Sequence, residues 1–414
     1  MENHVEYLLK VLDCYIWDKP VVLPPKDIDW DQFAKAAGAG EVLLQIYKKL
    51  NELPEEHKPP VQLMEELRGV STYKGLKKIE QYSFFSKILQ EAKKREIAVV
   101  LFKGPILADL YPEPFLRNSS DMDVYVSPEQ LPMFESLLLE MGMIKNEKHS
   151  KEMVPVYYIP KFFMIEAHCC LYEDYQGKRV QLLKQMALEA EEKRVEMDVC
   201  GLHITTLGYE EHLIFLMFHL IKHISYSGCS LKTIIDLVLY INRYIECIDL
   251  QHFWKVMKQL KYDVFCRTLF SVGVYYFHLT QEIFIDDSYS EHMAVQTLER
   301  MYHTGIIMSD MEHIEEDRRA SSIAFQSVYD HEKKVCKMKM LRKACFPSSK
   351  DLSFRYMYAR KYPVLIGFAW MHRAMNYTIF MLMGKKEKAN MRGDMQLANR
   401  KVSLLRDLDL LNKD

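Results

Sequence analysis

The segment DMDVYV, residues 121–126, is an apolar run that carries two aspartates one residue apart. Successive side chains of a β-strand point to opposite faces of the sheet, so Asp121 and Asp123 share one face while Met122 and Val124 share the other. An ionised carboxylate is costly to bury unless a cation or hydrogen bonds compensate it, and two neighbouring carboxylates repel each other. The segment therefore predicts a strand with one face in a core and the other lining an opening that holds a cation.

Short apolar segments of similar length lie on both sides of this strand. Further strands are predicted at IAVVLFKG, VPVYYI, FFMIEAHCCLY, RVEMDV and LHITTL. The segment SPEQLPMFESLLLEMGM is predicted to form a helix with Ser127 as the N-cap and Pro128 as its first residue. These patterns predict an α+β fold, in which a core of strands and helices, residues 96–207, lies between helical regions at 1–95 and 208–414.

A third acidic residue stands in the middle of a predicted strand. In FFMIEAHCCLY, Glu166 and His168 share one face, opposite Phe163 and Ile165. If this strand neighbours DMDVYV, three carboxylates converge, and oxygen ligands of this kind suit Mg²⁺. Two such ions activate an attacking hydroxyl and stabilise the leaving group of an in-line displacement. An Asp-x-Asp pair alone is also typical of an exposed strand end, and the spacing leaves that alternative open.

A lysine and a glycine follow the first predicted strand, at Lys103 and Gly104. A glycine lets the backbone approach a phosphate closely, and a lysine or free amides hold the anion. Arg117, which lies shortly before the aspartates, has two equal interpretations. It either holds the loop through a salt bridge or binds a phosphate with two hydrogen bonds.

One stripe of a predicted helix is rich in histidine. It comprises His212, Leu216, His219 and His223. Two histidines four residues apart bind zinc in H-E-x-x-H enzymes, but Leu220 stands where the glutamate is needed, which disfavours a zinc hydrolase. The stripe either packs beneath the site or contacts nucleotide, with Lys222 and His223 reaching the triphosphate. Asp236 is predicted to orient one of these histidines by accepting its proton.

Taken together, these motifs resemble the polymerase-β-type nucleotidyltransferases. More narrowly, they resemble the bacterial family of uncharacterised nucleotidyltransferases. The resemblance rests on FKG, DLYPEP, LRNSSDMDVYV and IEAHCCL, and it continues weakly through most of the chain. It implies a polymerase-β-like core, which is a small mixed sheet with helices. It also implies a metal-dependent transfer of a nucleoside monophosphate (NMP) from an NTP to a hydroxyl or phosphate acceptor, with release of pyrophosphate. The implied cofactor is Mg²⁺, with two ions during catalysis and Mn²⁺ as a substitute.

The resemblance also implies roles for individual residues. Asp121 and Asp123 would bind the metals, and Glu166 would complete the site and help to deprotonate the acceptor. Phosphate contacts are implied for Lys103, Gly104 and Ser119 or Ser120. The wider superfamily has Gly-Ser after the first strand, whereas this chain has Gly104-Pro105. Proline has no backbone N–H, so this position cannot donate a hydrogen bond to the triphosphate as the superfamily residue would.

Charge and cysteine content restrict the partners. Lys and Arg total 55 against 57 acidic residues, a formal charge of −2, which gives no global signature of nucleic-acid binding. Nine cysteines without a C-x-x-C pair and an N-terminus without a signal-peptide pattern indicate a cytoplasmic protein. We therefore favour a small-molecule acceptor. A sugar phosphate, an antibiotic-like compound, a protein hydroxyl and an RNA end all stay open.

The segment YPVLIGFAWMHRAMNYTIFMLMG comes closest to a membrane span, but His372 and Arg373 at its centre exclude one. It is predicted to be an amphipathic helix, with a peripheral membrane or protein contact through the C-terminal region as the alternative. The alternative for the whole chain is a catalytically silent binding or regulatory protein with the same fold, such as a toxin–antitoxin-like partner. Because all three acids are present, the catalytic interpretation is favoured.

Overall fold

The structure is a computed structural model. It describes residues 1–119, 121–146, 154–172, 180–226, 228–286, 289–307, 320, 324, 342, 345–348, 352, 354–382 and 391–410. The chain divides into two compact units. The first comprises Met1–Ile224 and Gly228–Met311, and the second comprises Ser225–Ser227 and Glu312–Asp414. The boundaries at residues 95 and 207 stay predictions.

The first unit begins with four helices. They are α1 (Asn3–Ile16), α2 (Trp30–Ala39), α3 (Leu43–Asn51) and α4 (Val61–Lys94). The carboxylate of Asp29 accepts hydrogen bonds from two backbone amides in the first turn of α2, as an N-cap does. Pro60 directly precedes α4, a helix of 34 residues whose C-terminal half lies against the sheet.

A mixed sheet of seven strands forms the centre of this unit. The strands are β1 (Val100–Leu101), β2 (Met122–Tyr125), β3 (Ile144–Lys145), β4 (Val156–Ile159), β5 (Phe163–His168), β6 (Val195–Val199) and β7 (Leu202–Thr206). Their spatial order is β3-β4-β5-β2-β1-β7-β6. The β1–β7 and β2–β5 pairs are parallel, and the other pairs are antiparallel. The predicted α+β fold, with a small mixed sheet between helical regions, is confirmed.

The described part of the chain between residues 105 and 303 contains eight further α-helices. They are α5 (Pro105–Ala108), α6 (Leu131–Glu140), α7 (Val180–Glu192), α8 (Tyr209–Tyr226), α9 (Leu231–Tyr244), α10 (Leu250–Gln259), α11 (Asp263–Phe277) and α12 (Glu291–His303). The predicted start of α6 is wrong. Residues 128–130 form a turn closed by a hydrogen bond from the amide of Gln130 to the carbonyl of Ser127, and the helix begins at Leu131.

One face of the sheet belongs to the hydrophobic core. Met122 and Val124 from β2 and Ile165 from β5 are buried together with apolar residues of α4 and α6, such as Phe85 and Phe134. Burial of these side chains supplies the main driving force for this layer. The predicted assignment of Met122 and Val124 to a core face is confirmed, and the acidic residues between them lie on the opposite face.

In the second unit the structure describes helices at Met357–Lys361, Ile366–Leu382 and Met391–Asp407. Among the described residues, no helix combines the length and apolarity needed to cross a membrane. A peripheral contact through this region stays a prediction.

Candidate active site

Two neighbouring strands bring the acidic residues together. β2 and β5 run parallel, with Asp123 opposite Glu166 and Tyr125 opposite His168. Because partners in such a ladder point to the same face, Asp123, Glu166 and His168 converge. One ligand atom from each lies within 4.8 Å of one from each of the others, so the three residues are able to hold a metal ion.

Asp123 is the most enclosed member of this group. Its side chain is 3% exposed, and each carboxylate oxygen has a protein partner. His168 Nε2 lies 3.2 Å from Oδ1, and Lys103 Nζ lies 2.7 Å from Oδ2. Burial on its own would raise the pKa of Asp123, but the Lys103 charge and the His168 hydrogen bond hold that pKa well below its usual range. Asp123 is therefore ionised at neutral pH.

The pKa values of Asp121 and Glu166 are raised, in contrast to that of Asp123. Burial, followed by the charge of Asp123, raises the pKa of both carboxyl groups. Asp121 directly precedes β2 and lies outside the group whose ligand atoms are within 4.8 Å, yet its charge also raises the pKa of Glu166. The three acids thus repel one another across one face of the sheet, and a divalent cation would relieve that repulsion.

Lys103 links the acids to the histidine stripe of α8. Its ammonium group lies 2.7 Å from His219 Nε2 as well as from Asp123, so it donates to the unprotonated nitrogen of a neutral imidazole. Burial and the positive charge of Lys103 lower the pKa of His219 well below its usual range. Nε2 of His223, an exposed residue one turn later, lies 3.1 Å from the same nitrogen. Lys222 is half-buried on this helix.

The first histidine of the stripe supports the segment after β1 that carries Lys103. His212 is buried, and its Nε2–H donates to the carbonyl of Phe102. Burial lowers the pKa of His212 to about 4, so it stays neutral. The ring of Phe102 packs on Phe215 of α8, with centroids 4.3 Å apart, and on His168, at 5.8 Å. These contacts fix the end of β1 beside the acidic face.

The loop before β2 is held by Arg117. Its Nε and Nη2 donate to the two oxygens of Asp236 at 2.7 and 2.6 Å, and both side chains are buried. Tyr111 donates to the same carboxylate at 2.7 Å. The prediction that Asp236 orients a histidine is wrong, because its oxygens accept from Arg117 and Tyr111. Of the two interpretations of Arg117, this geometry matches the salt bridge that holds the loop.

Lysines from two helices also hold this loop, and the sequence reasoning missed them. Lys78 of α4 donates to the carbonyl of Ser119 at 2.5 Å and to its hydroxyl at 2.9 Å. Lys232 of α9 donates to the carbonyl of Asn118 at 2.9 Å. Burial, and then the nearby charge of Arg117, lower the pKa of Lys78 to about 7. No local sequence signal marks either lysine, because the partners are 41 and 114 positions away.

The remaining predicted residues are Gly104 and Ser120. Gly104 has φ +66°, and a Cβ placed on it would lie 3.1 Å from the sulfur of Met122. Only a glycine fits this turn without strain, and the turn directs Lys103 toward Asp123. Ser120 lies outside the residues that the structure describes.

Comparisons with known proteins add a family to this geometry. A family model described as "Uncharacterised nucleotidyltransferase" matches residues 26–278. No curated protein matches the chain. Among solved structures, the solution structure of the antibiotic-resistance factor ANT(2'')-Ia is similar, with 14% sequence identity and a TM-score of 0.33. The similarity covers 44% of this chain and 95% of that one.

Proposed function

The chain belongs to the uncharacterised nucleotidyltransferase family, and from this membership we propose that it transfers an NMP from an NTP to a small-molecule hydroxyl or phosphate, releasing pyrophosphate. The single observation that carries the proposal is the pairing of Asp123 with Glu166 across β2 and β5. Asp121 lies two residues before Asp123, so both strands present carboxylates on one face. The matched residues 26–278 include all of these positions.

The donor set fits a divalent cation. Asp123 and Glu166 offer carboxylate oxygens within 4.8 Å of each other, and Asp121 adds negative charge beside them. Asp121, Asp123 and Glu166 would hold the ion, with Mg²⁺ as the expected species and a second ion arriving with the NTP. A divalent ion supplies Lewis acidity to the triphosphate and to the attacking hydroxyl.

The protein's own groups would do the rest. Glu166 has a pKa raised by burial and by Asp123 and Asp121, which makes it a stronger base for the acceptor's proton than an ordinary glutamate. The ammonium group of Lys103 lies beside Asp123, where it would contact the triphosphate. The Gly104 turn would allow the backbone to approach a phosphate closely. Lys222 and His223 on α8, with Ser119 and Ser120 in the loop, are the further proposed nucleotide contacts.

Thermal unfolding with each of the four NTPs, in the presence and absence of divalent metal, tests this proposal first. A ligand at a hundredfold excess over its Kd stabilises the folded chain by about 2.7 kcal/mol. We expect a metal-dependent rise in Tm with at least one NTP, lost in Asp123→Asn. The matched control is Asp198→Asn, which changes an exposed acid in β6 of the same sheet. The NTP so identified then serves in a pyrophosphate-release screen of acceptors. No Tm rise with any NTP would refute the proposal.

One observation favours a second candidate, a catalytically silent binding protein. Both oxygens of Asp123 already have protein partners, Lys103 and His168, so this carboxylate is satisfied without a metal. A silent protein should keep its Tm in every NTP and metal combination. The Asp123→Asn variant would then differ only in stability, because it loses the negative charge and one of the two acceptor oxygens that Lys103 and His168 contact.

A further inference from the structure

His168 faces the same point as the two carboxylates. Its Nε2 lies 3.2 Å from Asp123 Oδ1 and 4.0 Å from Glu166 Oε2. Two atoms that bind one ion at bond lengths of about 2.1 Å are separated by roughly 3.0 Å when they are at right angles and by roughly 4.2 Å when they are opposite. Both observed distances lie between these limits. The distances from His168 to each carboxylate therefore match ligands of a single ion, and the Asp123 and Glu166 oxygens lie within 4.8 Å of each other.

The histidine is also held in this orientation. His168 is 5% exposed, and it lies two residues after Glu166 on the same face of β5. Its ring packs edge-on against Phe102, with an interplanar angle of 71°. A buried ring of fixed orientation loses little conformational entropy when it binds an ion.

We propose that His168 is a metal ligand together with Asp123 and Glu166, and that this mixed nitrogen and oxygen site prefers Mn²⁺ to Mg²⁺. Mg²⁺ favours an all-oxygen octahedral shell that retains water. Mn²⁺ accepts carboxylates equally well and, as a first-row transition ion, binds imidazole more readily. The inference rests on the proposed function for the identity of the site, and it changes both the third ligand and the preferred ion.

Lys103 is compatible with this arrangement. It contacts Oδ2 of Asp123, whereas His168 contacts Oδ1. An ion between His168 and Oδ1 replaces a hydrogen bond and leaves the Lys103 contact in place. Asp121 then lies beside the ion rather than in its first shell, consistent with its position outside the convergent group.

Electron paramagnetic resonance of Mn²⁺ bound to the full-length, nucleotide-free protein tests the assignment. We expect one tight Mn²⁺ site with ¹⁴N modulation in the electron spin echo, which a bound imidazole produces. A hundredfold excess of Mg²⁺ should fail to displace the ion. His168→Asn should abolish the ¹⁴N modulation and weaken Mn²⁺ binding by roughly tenfold or more. His168→Asp should also abolish the modulation but retain binding, with the preference moved toward Mg²⁺.

The matched control is His203→Asn, which changes an exposed histidine that contacts Asp198 in the same sheet. It should leave both the affinity and the ¹⁴N signal unchanged. Wild-type protein without ¹⁴N modulation, a His168→Asn variant with unchanged affinity, or displacement by equimolar Mg²⁺ would overturn the inference. The outcome is separable from the proposed function. NMP transfer with Mg²⁺ and no ¹⁴N signal would retain the function alone, and a ¹⁴N signal without NTP binding would retain the metal site alone.

Discussion

At the scale of single residues, the Arg117–Asp236 pair is a buried charge interaction beside the site. Neither side chain is more than 6% exposed, so removal of one partner leaves an uncompensated buried charge. We expect Arg117→Met and Asp236→Leu each to lower the free energy of unfolding by about 3–5 kcal/mol. The double variant should be no less stable than either single variant, because it buries no unpaired charge. Urea unfolding of all four proteins measures the coupling.

The chain contains a matched exposed pair for comparison. Arg95 also forms a bidentate pair, on the surface, in which its Nη1 and Nη2 donate to the two oxygens of Glu140 at 3.2 and 2.7 Å. Because solvent screens this pair, its removal should change stability little. If the losses of unfolding free energy in Arg117→Met and Asp236→Leu add up to the loss in the double variant, the two buried charges are not coupled.

Lys78 predicts a pH dependence of stability. Its pKa is lowered to about 7 in the folded chain by burial, against about 10.4 in the unfolded chain. Between these values the unfolded chain binds a proton that the folded chain does not, so this group adds stability as pH rises above 7. The free energy of unfolding of wild type, minus that of Lys78→Met, should rise by about 1.4 kcal/mol per pH unit between pH 7.5 and 9.5.

Urea unfolding at several pH values measures this slope. A flat difference between wild type and Lys78→Met would mean that Lys78 stays protonated in the fold.

The role of an individual residue could be predicted where the sequence pattern that marks it lies within a short segment. Asp123, Glu166 and His168 were assigned to one face because strand periodicity is a local property of two short segments. That the two strands are neighbours was an assumption, which the β2–β5 pairing confirms. The pairing of Arg117 with Asp236, 119 positions away, has no local signature, so the alternatives for Arg117 could not be separated from sequence.

At the scale of elements, the turn after β1 depends on one glycine. Gly104 has φ +66° and ψ −112°, and a Cβ there would meet the sulfur of Met122 at 3.1 Å. We expect Gly104→Ala to cost roughly 1–3 kcal/mol of stability. It should also move Lys103 relative to Asp123 and so weaken the NTP-dependent rise in Tm. Urea and thermal unfolding give the two readouts.

Gly69 provides the contrasting position. It lies inside α4, and nothing is within 4 Å of a Cβ placed on it. Gly69→Ala should therefore stabilise the chain by about 0.5–1 kcal/mol and leave NTP binding unchanged. A loss of stability at Gly69 similar to that at Gly104 would show that backbone conformation is not the cause.

The elements that the sequence predicted well are those with a clear apolar period. Segments around β2, β4, β5, β6 and β7 alternate or form short apolar runs, and each became a strand. β3 was missed because Ile144–Lys145 is a two-residue edge strand with no period to detect. The start of α6 was misplaced because residues 128–130 form a turn before the helix begins at Leu131. Ser127 accepts from the Gln130 amide in this turn as it would in a helix cap, so the two local patterns share their residues.

At the scale of the whole molecule, the order of the strands was beyond sequence reasoning. β1 lies between β2 and β7, whose segments are about 80 residues apart in the chain, and β7 runs parallel to it. Pairing over such a distance is set by packing of complete faces rather than by any local pattern. The mixed sheet was predicted from the family resemblance, because periodicity alone does not give strand order. The family match over residues 26–278 supports that resemblance.

The last prediction concerns where the chain can be cut. All described site residues and the matched region 26–278 fall within the first unit, which continues to Met311. A chain of residues 1–311 should therefore unfold cooperatively and keep the Mn²⁺ site and the NTP-dependent rise in Tm. A chain that ends at residue 278 has the complete matched region but lacks α12. In the full chain, the α12 side chains Leu298 and Met301 are buried.

The shorter chain should be the less stable one. Exposing the surface that Leu298 and Met301 cover costs about 3–6 kcal/mol in total. The hydrogen bond from the amide of Cys229 to the carbonyl of Ile306, 2.6 Å long, and the ion pair between the N-terminal amine and Glu299 are lost as well. Circular dichroism during urea unfolding, with Mn²⁺ binding as the second readout, compares both chains with the full protein. Equal stability of the two truncated chains would place the end of the folding unit at the end of the family match. Loss of Mn²⁺ binding in the chain of residues 1–311 would show that the site depends on the second unit.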